Sequence, residues 1–238
     1  MKFDIDKSHR DFFQKHGFIE FENIIPKDQI MQFNQAIDQS LENQLDKPFH
    51  KLTSEQIFLK SRDLWRFNDF LKQLTIQVRL SGLVSEMIEK KPVRLGYTQF
   101  FPSYSQQGSG LEKNKDPYSN FLHQKTNLVN ISSLSNVLCG LMVCLSEDDQ
   151  VVNSNSITEE VDIFSCKLGS VIIFQAETII NLECLLKHYS QRYYLIVYTE
   201  NSSYYFPQSN DPFNYFLKHV GYVYNDKLSD KLNPIVYR

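Results

Sequence analysis

Pro92-Val93-Arg94-Leu95-Gly96-Tyr97-Thr98-Gln99-Phe100-Phe101-Pro102 is the stretch at which the chain changes its texture. Val93 to Phe101 is rich in the aliphatic and aromatic residues that strands favour, and Pro102, which has no amide hydrogen to give a ladder, stops it. Upstream, apolar residues recur at helical spacing. Downstream, short strand-like segments near 120–124, 135–145, 159–164, 169–175, 179–182 and 192–199 alternate with polar turns. Short strands that follow a helical block predict an α+β chain in which helices flank a β-sandwich or barrel.

The helical block fills the first ninety residues. Phe12, Phe13 and His16 end a short helix at Gly17, and Phe18-Ile-Glu-Phe21 alternates like a brief strand. Pro26 suits the first turn of a second helix, along which Ile30, Phe33, Ile37 and Leu41 repeat. A further helical region from Ser54 to about Glu89 carries Trp65, Phe67, Phe70, Leu71 and Leu74 as its core face. Beyond the strands, Pro212 to His219 reads as one more helix. The organisation expected is one domain over 1–238: a mainly helical part (1–91), a β core (92–200) and a C-terminal extension (201–238).

Composition narrows the function. A chain of 238 residues, 42% hydrophobic and 13% aromatic, can bury a large core. Its net charge of −3 gives no electrostatic footprint for nucleic acid or an anionic membrane. The one compact basic run, Lys90-Lys-Pro-Val-Arg94, reads as a solvated helix end. No apolar stretch is long enough for a bilayer span and no signal sequence is visible, so a cytoplasmic protein is expected. Cys139, Cys144, Cys166 and Cys184 fall in apolar segments without a C-x-x-C pair and read as buried thiols. Nucleophile elbow, P-loop and dinucleotide fingerprint are all missing; Gly108-Ser-Gly110 reads as a flexible loop, and Asp148-Asp149 as a solvated turn.

Several segments, in order, resemble the phytanoyl-CoA dioxygenase-like family of iron(II)/2-oxoglutarate oxygenases. Phe13-Gln-Lys-His-Gly-Phe-Ile-Glu-Phe21 with Ile24-Ile-Pro-Lys-Asp28 resembles the family's entry, and Val93 to Gln99 its first core strand. Phe121-Leu-His123-Gln-Lys125 stands where the family places its H-x-D motif. Gly169-Ser-Val-Ile-Ile-Phe174 resembles the strand before the distal histidine, and Arg192-Tyr-Tyr-Leu-Ile-Val-Tyr198 the strand whose arginine binds the 2-oxoglutarate carboxylate. The resemblance implies a double-stranded β-helix (jelly roll, cupin-like) with flanking N-terminal helices. One departure lies at 148–156, where the family's usual mouth-shaping segment is replaced.

The departures at the metal positions decide the expected chemistry. Iron(II) in that family is held by two histidines and one carboxylate, with open positions left for cofactor and oxygen. Here the first position keeps His123, but the carboxylate position holds Lys125. An ammonium has no lone pair to give, and it repels a divalent cation by several kcal/mol even at an effective dielectric of about 20. In the family the distal histidine precedes the arginine by about ten residues; counting back from Arg192 gives Asn181 or Ile180, and neither is histidine. Halogenating relatives lose the carboxylate alone, so the double loss points elsewhere. His188 lies four residues before Arg192, in the turn or at the strand start, and reads as a surface or turn histidine.

What the resemblance leaves is a cationic pocket. Arg192 can fork onto a carboxylate, Lys125 can stand in for part of the metal's charge, and Tyr97 and Gln99 on the first core strand complete the candidate cofactor-binding set. Glu177 and Glu183 are the acids nearest the distal strand. The leading expectation is a non-catalytic protein that binds a small carboxylate, 2-oxoglutarate or one like it, or a protein partner, without iron. Two alternatives stand beside it. One is an active iron(II)/2-oxoglutarate dioxygenase that recruits ligands such as His123, His188 and Glu177 or Glu183. The other is a β-sandwich interaction protein.

Overall fold

The structure, a computed structural model, describes residues 5–102, 125–146, 167–181 and 192–238, with Ser54 and Asn181 described by backbone alone. The expected strands near 120–124 and 159–164, and Cys166 and Cys184, lie outside these residues.

Helix α1 (Lys7–His16) starts on a capping box in which the Asp6 side chain accepts from His9 N, and stops at Gly17 in the left-handed region, φ 77°. Glycine suits that place because it has no Cβ to strain there. Strand β1 (Phe18–Phe21) follows, then α2 (Lys27–Leu45), which Pro26 precedes as its cap. Ile30, Phe33, Ile37 and Leu41 are all buried along one face of α2. The region from 54 to 89 is not one helix but three: α3 (Ser54–Lys60), α4 (Asp69–Thr75) and α5 (Val78–Ile88), with a 3-10 turn at Leu64–Arg66. The side chain of Asn68 caps α4 by accepting from Leu71 N. Phe67, in the linker before it, is 68% exposed, so it lies outside the core that its spacing suggested.

Strands β2 (Val93–Phe101), β4 (Val137–Cys144), β5 (Val171–Gln175), β7 (Tyr193–Glu200) and β8 (Ile235–Tyr237) join β1 in one antiparallel sheet of order β1-β5-β4-β7-β2-β8. β3 (Lys125–Thr126) and β6 (Ile180–Asn181) form a second, two-stranded antiparallel sheet. Helix α6 (Leu128–Ile131) follows β3, and α7 (Phe216–Val220) lies in the C-terminal segment. Sequence spacing did not mark β8.

Both faces of the large sheet are covered. On one face Leu141, Val143, Ile173, Tyr194 and Ile196 pack with Phe33, Ile37, Leu71 and Leu83 of the helical block. On the other, Met142, Ile172, Phe174, Leu195 and Val197 pack with Leu128, Ile131, Ile180 and the C-terminal Tyr205 and Leu217. All nine positions of β2 are buried, which is why its sequence shows little polar alternation. Close packing fixes small residues too: a Cβ on Gly140 would stand 2.4 Å from the Phe174 ring. Cys139 and Cys144 are buried and take part in no disulfide among the described residues. Arg94, expected in a solvated helix end, is instead 3% exposed and donates to Asn233 O, Asn201 and Asp230. Among the described residues no helix is long and apolar enough to cross a membrane.

Candidate functional site

Lys125 and Asn181, which the sequence reading set at two expected ligand positions, come together along the backbone. β3 and β6 pair so that Lys125 faces Asn181 and Thr126 faces Ile180. Thr126 and Ile180 are buried under this small sheet, while Lys125 is exposed. His123, Glu183 and His188 lie outside the described residues. Among the described residues no three His, Cys, Asp or Glu side chains gather into a metal-holding group. Glu177 is exposed on the turn between β5 and β6.

Arg192 takes a different direction from Tyr97 and Gln99. It precedes β7, where its N–H donates to Ser146 Oγ and its carbonyl accepts from Leu145 N. Side chains alternate along a strand, so Arg192 shares the face of Tyr194, which packs edge-on against Phe33 of α2 at 4.9 Å. Its guanidinium forks onto Asp38 of α2, with Nη2–Oδ1 at 2.5 Å and Nη1–Oδ2 at 3.3 Å, and lies over the rings of Phe100 and Phe49. One turn earlier on α2, Asn34 Nδ2 donates to Leu145 O at 2.7 Å. The i, i+4 pair Asn34 and Asp38 thus clasps the adjoining ends of β4 and β7.

Tyr97 and Gln99 point to the opposite face. Tyr97 pairs with Val197 and Gln99 with Leu195, and both are buried. The Gln99 amide nitrogen donates to Phe58 O, Ser61 Oγ and Phe100 O. Tyr97 Oη lies 2.8 Å from Ser132 Oγ, and burial raises its pKa, with the nearby Asp211 charge adding and Arg62 opposing. Against the Tyr97 ring, at 3.7 Å, lies the guanidinium of Arg62, which the Phe213 ring covers at 4.3 Å. Arg62 Nη2 pairs with Asp211 Oδ1 at 3.1 Å, and Asp211 Oδ2 accepts from Ser133 N at 2.9 Å. The pair is 5% and 4% exposed. Sequence reasoning missed it: the partners stand 149 residues apart, and neither sits in a motif.

This arrangement of helices and sheets is similar to that of several solved structures. The carbocyclase SnoK from nogalamycin biosynthesis, a non-heme α-ketoglutarate-dependent enzyme, superposes with a TM-score of 0.64 at 11% identity, over 97% of this chain and 96% of its own.

The fold is shared with the non-heme α-ketoglutarate-dependent enzymes.

The epimerase SnoN of the same biosynthesis gives a TM-score of 0.62 at 10% identity, covering 97% of this chain and 98% of that one. EctD from S. alaskensis, solved with 2-oxoglutarate and 5-hydroxyectoine, gives 0.53 at 14% identity, covering 88% and 83%. No protein-family profile and no curated protein matches the chain.

Proposed function

We propose that the chain is a non-catalytic protein of the 2-oxoglutarate-oxygenase fold, of phytanoyl-CoA dioxygenase-like type. In this reading its two sheets are the faces of a double-stranded β-helix that binds a small carboxylate without iron. The observation that carries this reading is the cross-strand pairing of Lys125 with Asn181. An ammonium offers no lone pair, and an amide offers only a neutral oxygen, where iron(II) asks for a carboxylate and an imidazole. The donors on this small sheet therefore do not fit iron. They fit an anion, toward which the lysine supplies charge.

Arg192 forks onto Asp38 and acts as the clasp that holds the start of β7, and in this reading Lys125 supplies charge toward the ligand's carboxylate. Tyr97 and Gln99 form the wall of the large sheet on that side. A protein partner that presents a carboxylate would use the same chemistry.

Calorimetric titration with 2-oxoglutarate and succinate in the presence of a chelator tests the reading. Saturable heat that weakens in Lys125→Ala is expected; no heat with either dicarboxylate would sink it. Restoring the lost donors is the complementary experiment. The double variant Lys125→Asp/Asn181→His should gain a cobalt(II) absorption band that the parent chain lacks. Iron-dependent formation of succinate by the parent chain would instead establish the active oxygenase.

A further inference from the structure

A cleft of about 320 Å³ opens at the end of the large sheet away from Arg192, where β4 begins and β7 runs out. Leu134, Val129 and Val137 give it an aliphatic lining, and Tyr204 and Phe206 stand beside them. The two rings have centroids 6.2 Å apart and planes inclined by 55°, so they form an open V and not a closed stack. Glu177, on the β5–β6 turn, is the charged side chain that lines the cleft, and it forms no ion pair among the described residues. The aromatic wall is fixed in advance. Tyr204 N donates to Ser135 Oγ at 2.9 Å, and Tyr204 O accepts from Ser135 N at 3.0 Å. Yet Tyr204 remains 42% exposed.

We propose that this cleft receives a lysine or arginine side chain carried by a partner polypeptide. Ring faces are the negative side of an aromatic quadrupole and attract a cation placed over them. The Glu177 carboxylate adds a full charge of the same sign. The aliphatic lining suits the methylene stem that leads to such a head group. An anion would meet the Glu177 carboxylate, which disfavours it. A free small molecule usually needs an enclosed cavity that buries most of its surface. This cleft is open to solvent, so its occupant gains by being tethered to a larger contacting surface.

The test titrates an acetylated, amidated Gly-Arg-Gly peptide and its norleucine counterpart into the isotope-labelled full chain, following amide resonances of 134–137, 176–178 and 204–206. The arginine peptide is expected to give saturable shifts that shrink as salt is raised. Glu177→Gln and Tyr204→Ala should each weaken binding roughly five-fold, the loss of one exposed ionic or cation–π contact. Circular dichroism of each variant separates lost binding from lost fold. Equal binding of the norleucine peptide, or undiminished binding to Glu177→Gln, overturns the proposal. So does the absence of shifts. Free arginine, whose own carboxylate meets Glu177, should bind more weakly. Equal affinity would make the cleft an amino-acid site and overturn the assignment to a partner chain.

Discussion

Two arginine–aspartate pairs stand on opposite faces of the large sheet, and they differ chiefly in how much water reaches them. Arg192 and Asp38, on the helical face, are 17% and 31% exposed. Arg62 and Asp211, on the other face, are 5% and 4% exposed, and two aromatic rings close over the guanidinium. A charge in water loses little when its partner goes, because solvent replaces the interaction. A charge under aromatic rings has no such recourse. The residue singled out by its place in the chain is therefore the one less firmly held, and the more deeply committed arginine carries no sequence signal at all.

The largest effect that can test this contrast is the removal of Asp211. Asp211→Ala leaves the Arg62 charge buried and strips Ser133 N of its acceptor, so a loss of about 3–5 kcal/mol in denaturant unfolding is expected. The double variant Arg62→Met/Asp211→Leu should recover most of that loss, since apolar groups of similar size often replace a buried pair without penalty. If Asp211→Ala cost no more than a surface variant, the two faces would not differ as described.

Asp38→Ala should cost less, about 1 kcal/mol, and the cost should shrink further in high salt. Arg192 keeps its contacts with the Phe49 and Phe100 rings in that variant, so the clasp loosens without opening. A salt-independent loss as large as that of Asp211→Ala would make the two pairs equivalent.

The smallest effect belongs to a carboxylate on edge strand β1 that has no arginine fork. Partial desolvation, with the neighbouring Glu22 charge adding, raises the pKa of Glu20 above its ordinary value. A group whose folded pKa is raised stabilises the fold fully below its unfolded pKa, and that contribution is lost as pH rises through the folded value. Glu20→Gln should therefore raise the melting temperature slightly at neutral pH and leave it unchanged below about pH 4. A fall at neutral pH would show that the carboxylate is stabilising after all.

Much of the architecture was legible because the local chemistry is strong. The apolar repeat of α2 and the helix end at Gly17 appear as read, and the runs read at 93–101, 169–175 and 192–199 form strands over 93–101, 171–175 and 193–200. The reading failed where tertiary contacts overrode a local pattern. Phe67 shares the spacing of a core face, but it falls in the linker between the 3-10 turn and α4 and points to water. Arg94 belongs to a basic run, yet Asn233 and Asp230 of the C-terminal segment draw it inside. The strand near the end, β8, is three residues long and exists because β2 offers it an edge.

By itself the sequence determined that helices precede a β core, and it placed a lysine and an asparagine where the resemblance leads one to expect metal ligands. Residue type and order carry that information. The tertiary structure alone decided which face of the sheet Arg192 serves, and that Lys125 and Asn181 stand directly opposite one another. It alone also brought Arg62 to Asp211 across 149 residues. The physical reason is that alternation along a strand fixes which neighbours share a face, but not what packs against that face. That is settled only when distant segments bury one another.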